Sequence, residues 1–72
     1  MTIYQLMAHG HSAVTGQVRT VASKKAHRTE KKALEEKKEF IKRLTTPEDD
    51  RDMGYLDEKN LRVHVGYIEL VD

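Results

Sequence analysis

Between Ser23 and Pro47 the sequence runs KKAHRTEKKALEEKKEFIKRLTT, and this stretch decides more about the fold than any other. Lys, Glu, Ala and Leu are strong helix formers. Ala26, Ala33, Phe40, Ile41 and Leu44 fall on one stripe at the 3.6-residue period, with Leu34 at its edge. Ser23 is suited to cap the N-terminus, because its hydroxyl can accept a bond from a free amide of the first turn. Pro47 disfavours helical geometry in the residue before it, so the helix ends by Thr46. The pattern therefore predicts one long helix over 24–44.

On either side the periodicity is that of strands. Residues 2–9 put apolar groups on both faces, with only Gln5 between Ile3, Tyr4, Leu6, Met7 and Ala8. A strand apolar on both sides belongs in the middle of a sheet. Gly10 to Gly16 is small and polar and reads as a turn. A second short strand spans 17–22, close enough for a hairpin. Residues 45–60 form an acidic loop, with Met53, Tyr55 and Leu56 as its anchor on the core. The last strand spans 61–71, where Leu61, Val63 and Val65 alternate with Arg62 and His64. The alternation slips at Gly66, which suggests a bulge or bend.

The expected fold is α+β, in the order β-β-α-β. It has a three-stranded, mainly antiparallel sheet with one long helix on one face, as a single domain over 1–72. The third strand is expected beside the first. The other face of the sheet is then either exposed or paired with a second copy. A chain of 72 residues buries only about 60% of its unfolded surface. It has no cysteine, hence no disulfide and no thiolate zinc site. A homodimer is one remaining source of stability. No segment is long and apolar enough to span a membrane. The N-terminus lacks the basic start and cleavage site of a signal peptide. A cytoplasmic, complete gene product is the expectation.

Net charge is only +1, but it is segregated. Residues 1–23 carry +1, residues 24–43 carry +5, residues 44–60 carry −4, and the remainder carry −1. On a helical wheel Lys24, Arg28, Lys31, Lys38 and Lys42 form a basic ridge roughly 27 Å long, at about 1.5 Å per residue. Such a ridge suits an acidic protein surface or a phosphate backbone. Glu35 and Glu39 interrupt it. They stand at pairing distance in sequence as Lys31–Glu35, Glu35–Lys38 and Glu39–Arg43, which favours a solvated face. Glu48, Asp49, Asp50 and Asp52 make the loop a second candidate contact surface. The loop lacks the ligand spacing, glycine and terminal glutamate of a helix–loop–helix calcium site.

Chemistry is sparse. His9 and His11 flank Gly10, and with His27 or His64 they supply the residue types of a metal site, but no ligand motif is present. Ser12 beside His11 supplies residue types for a nucleophile without the rest of a catalytic constellation. No phosphate loop and no dinucleotide glycine pattern occur. Tyr4, Tyr55, Tyr67 and Phe40 are expected to pack rather than stack on bases. No cofactor, metal or enzyme activity is expected. A protein partner is expected first, nucleic acid on the basic helix face second.

The start Thr2-Ile3-Tyr4-Gln5-Leu6-Met7, the turn into Gln17 to Ala22, the Lys/Glu-rich helix and the ending Gly66-Tyr67-Ile68-Glu69-Leu70-Val71-Asp72 together resemble short accessory proteins encoded by bacteriophages and prophages. That resemblance implies a binding protein in the host cytoplasm, one that modulates a host or phage macromolecule.

Overall fold

The computed structural model describes residues 1–71. Its elements run β1 (Thr2–His11), β2 (Val18–Ala22), α1 (Glu30–Glu35), α2 (Lys37–Thr45), a 3₁₀ turn at Glu58–Asn60, and β3 (Arg62–Glu69). The sheet is three-stranded and antiparallel in the order β2-β1-β3, so the strand that is apolar on both faces is the central one.

Alternation along β1 sorts its side chains. Leu6, Ala8, Gly10 and Ser12 are buried toward the helices, while Ile3, Gln5 and Met7 are half-buried on the other side and His9 and His11 are exposed there. Leu6, Ala8 and Phe40 form the centre of the core, with Val21, Leu44, Leu61, Val63 and Val65 packed around them. Ala33 and Leu56 are also fully covered. The helices lie on one face only, so the opposite face is open.

The hairpin from β1 to β2 closes through Ser12, whose N–H donates to Gln17 O at 2.9 Å and whose carbonyl accepts from Gly16 N at 3.0 Å. Gly16 takes φ 74°, a left-handed conformation that costs a residue without Cβ little.

The helix is shorter than its composition suggests, and it is broken. Ser23 does not cap it. Its buried hydroxyl accepts from Leu6 N at 3.3 Å and donates to Lys25 O at 2.8 Å. The chain then continues as an irregular extension of β2. Ala22 faces Met7 and His27 faces Tyr4, five steps against three, so the β2 side carries two extra residues. Tyr4 and His27 exchange two backbone bonds of 2.7 Å. These sheet bonds outweigh helix propensity over 24–28 and leave Ala26 exposed, off the apolar stripe. The helix begins at Glu30 instead, with the Thr29 hydroxyl accepting from Lys32 N at 3.2 Å.

At Glu36 the helix tightens. The Glu36 N–H donates to Ala33 O at 3.1 Å, one residue short of the α-helical reach, and α2 starts at Lys37. The Glu36 carboxylate meets the His27 imidazole, Oε2 to Nε2, at 2.5 Å. The joint is thus tied to the strand extension below it. The far end conforms to expectation: α2 stops at Thr45, and Thr46 is already extended before Pro47.

Leu56 anchors the long loop. Its N–H donates to Leu44 O at 2.7 Å, and its neighbours bond to the end of β1, Ala13 N to Tyr55 O at 2.9 Å and Asp57 N to His11 O at 2.8 Å. Tyr55 is half-buried, but the Met53 side chain is exposed and does not reach the core. Gly66 makes neither bulge nor bend, since register with β1 is unbroken from Thr2–Glu69 to His9–Arg62. The glycine makes room for Met7, whose Cγ would lie 3.2 Å from an added Cβ. Of the apolar residues after it, Ile68 and Leu70 are exposed on the open face of the sheet and Tyr67 on the helix side.

Candidate functional site

The residues suited to chemistry are dispersed or structurally occupied. Ser12 Oγ donates to Met53 O at 2.6 Å and accepts from the amides of Val14 and Thr15 at 3.2 and 3.1 Å. It is the knot that ties the hairpin to the long loop. His9 stacks on His64 with ring centroids 5.0 Å apart, and its Nδ1 lies 3.3 Å from Thr20 Oγ1. His27 lies on the strand extension against Glu36. Among the described residues no three His, Cys, Asp or Glu side chains converge as a metal site.

The basic ridge is divided. Lys31, Lys38 and Lys42 are on the helices, but Lys24 and Arg28 belong to the extended segment before them. Lys38 and Lys42 line one shallow groove with Glu35 and Glu39, and Lys31 lines another with Glu30, Leu34 and Glu35. Lys24 lies in a third with Val21, Phe40 and Arg43. Among the described residues the one close contact between a basic and an acidic side chain is His27–Glu36, so none of the three helical pairs read from spacing closes. The lysines stand free in solvent, beside glutamates that dilute their field.

The acidic loop is folded upon itself. Asp52 accepts from Glu48 N at 3.0 Å and Gly54 N at 2.8 Å, and Asp49 accepts from Arg51 N at 2.8 Å. Arg19 reaches across from β2 to donate to Gly54 O. Glu48 and Asp50 remain exposed. The amides of Glu48 and then Gly54 hold the Asp52 carboxyl below the usual carboxylate range, and Arg19 adds to the effect. A carboxyl lowered in the folded state contributes in full above the unfolded value of about 3.9, and that contribution is lost as pH falls through the lower folded value. The Glu48 and Gly54 amide resonances are therefore expected to titrate together below that value, and Asp52→Asn to abolish the step. Titration at the ordinary aspartate value would show that these bonds do not hold the loop.

The strongest surface feature is one that residue types do not announce. Met1 and Leu70 exchange bonds in both directions, Leu70 N to Met1 O at 2.7 Å and Met1 N to Leu70 O at 3.1 Å. In an antiparallel ladder such pairs alternate with non-bonded ones. Ile68, Gly66, His64 and Arg62 therefore direct their backbone groups toward β1. The N–H and C=O groups of Val63, Val65, Tyr67 and Glu69 point out along the free edge of β3. Tyr67 is 69% exposed and Val71 93%, with Ile68 and Leu70 also exposed beside them and Met1 adjacent.

The middle of this edge lacks the usual guards, and its charges, Arg62 and Glu69, stand only at its two ends. Between Arg62 and Glu69 there is no lysine, no proline and no bulge. The molecule also exposes 5710 Å², against about 4,600 Å² for an ordinary monomer of its mass. It is elongated, 43 × 20 × 19 Å, with a radius of gyration of 13.3 Å where about 11 Å is usual for its length. Among the described residues no helix is long and apolar enough to cross a membrane. No protein family, curated protein or solved structure matches the chain.

Proposed function

We propose that the chain is a small non-catalytic protein-interaction module that holds another polypeptide along the free edge of β3. The observation that carries this reading is the outward-facing row of backbone groups at Val63, Val65, Tyr67 and Glu69, flanked by exposed Tyr67, Ile68, Leu70 and Val71. An added strand gains main-chain bonds there, and the alternate side chains supply selectivity. The basic segment 24–43 and the acidic loop lie outside the edge and set orientation and rate of encounter. Modulation of a host or phage protein is the role that the resemblance to phage accessory proteins adds.

Unpaired Lys31, Lys38 and Lys42 support a second reading, nucleic-acid binding on the helix face. One experiment separates the two. Immobilised wild type, Tyr67→Pro and Lys31→Glu/Lys38→Glu are compared for retention of added free wild-type chain and of polypeptides from a bacterial lysate at moderate salt, with and without nuclease. The edge reading expects a polypeptide that wild type retains, Tyr67→Pro loses and nuclease leaves in place. Retention that follows the lysines and disappears with nuclease would replace it by the second reading. Identical retention by all three would overturn both.

A further inference from the structure

We infer that the polypeptide seated on the β3 edge is β3 of a second copy, joined antiparallel across a twofold axis into a continuous six-stranded sheet. The inference rests on the reading of this edge as the contact surface and adds the identity of its occupant.

Self-complementarity is the first argument. A twofold axis beside Gly66 sets Gly66 opposite its counterpart, Val65 opposite Tyr67, Val63 opposite Glu69 and Arg62 opposite Leu70. In this register the residues that meet as hydrogen-bonded pairs are Val63, Val65, Tyr67 and Glu69, the four whose backbone groups point outward. No like charges face each other, because Arg62 and Glu69 each meet an apolar residue. Valine opposite tyrosine is a favourable cross-strand pair. A closed twofold arrangement also leaves no β3 edge free to recruit further copies.

Area is the second argument. The exposed surface exceeds that of an ordinary monomer by about 1,100 Å². A stable interface removes about 800 Å² from each partner. Tyr67 lies on the helix side of the sheet, and α1, which lies against β1 and β3, carries Leu34 at 47% exposure. Both become cover for the seam. The thin core, centred on Leu6, Ala8 and Phe40, is extended across two chains.

The test is sedimentation equilibrium of wild type and Tyr67→Pro over a wide concentration range, with amide hydrogen exchange. Proline is tolerated at this position of the ladder because the Tyr67 N–H is not bonded to β1. Tyr67→Lys is a second variant that keeps the N–H, and circular dichroism confirms that both fold. The expected result is a wild-type species of twice the 8.3 kDa chain mass, weakened at least a hundredfold in Tyr67→Pro. The amides of Val63, Val65, Tyr67 and Glu69 are expected to gain protection as concentration rises. A wild-type monomer throughout overturns the dimer, and the module reading then stands or falls by the retention experiment. A dimer indifferent to both substitutions, or one protected instead at His9, Thr20 and His64 on the open face, also overturns it.

Discussion

Replacing Phe40 with alanine is expected to bring the chain to the verge of unfolding at room temperature, with at most about 2 kcal/mol of stability left. Phe40 is the largest side chain of the core cluster it forms with Leu6 and Ala8, and Leu44 of the same helix is half-buried against that cluster. Truncating a buried phenylalanine costs about 3–5 kcal/mol, from lost transfer energy and the cavity left behind. A domain of this size sits near the low end of the usual range, about 5 kcal/mol. The loss therefore consumes nearly all the stability available. Urea unfolding followed by far-ultraviolet circular dichroism measures it. A cooperative transition with a midpoint close to wild type would mean that α2 is not held by this contact.

Ser12→Ala is expected to cost about 2 kcal/mol, unusually much for removal of one hydroxyl. The hydroxyl accepts two amides and donates to Met53 O from a site only 4% exposed. Its loss frees the turn of the hairpin and the start of the Met53–Asp57 segment together. Val14 and Thr15 are themselves exposed, so water relieves part of the penalty, which is why the figure is not higher. Amide exchange should accelerate at Val14 and Thr15 well before global unfolding. A change below about 0.5 kcal/mol would show that water replaces the hydroxyl entirely.

Much of the architecture was legible because local residue choice and tertiary demand agree. Ile3, Leu6, Met7 and Ala8 marked β1 as central, and Pro47 marked the end of α2. The helix start was not legible. Ser23 looks like a cap because a serine hydroxyl suits any nearby amide. Its partner is the Leu6 amide, seventeen positions away, and no local pattern records that. Thr29, followed by Glu30 in the first turn, carried the real signal. His27 gave no hint of its tie to Glu36, since the two meet only once the strand extension is in place. Gly66 was misread because its cause is the Met7 side chain across the sheet. The free edge was the least visible feature of all. Which backbone groups of β3 face outward depends on its phase against β1, set by pairing as distant as Met1 with Leu70.

That same pairing has a consequence in time. Thr2 and Glu69 bond across the sheet although they are 67 positions apart. During synthesis at about 5–20 residues per second, β1 therefore exists for roughly 3–10 s before β3 has been made. Through that interval the β1–β2 hairpin carries Leu6 and Ala8 without the strand that completes their cover. Contacts this distant in sequence also close slowly, because the chain between them must first be confined. The Lys/Glu-rich stretch between Lys24 and Arg43 is what the nascent chain shows to its surroundings meanwhile. Its net charge of +5 opposes the association of such incomplete chains with one another.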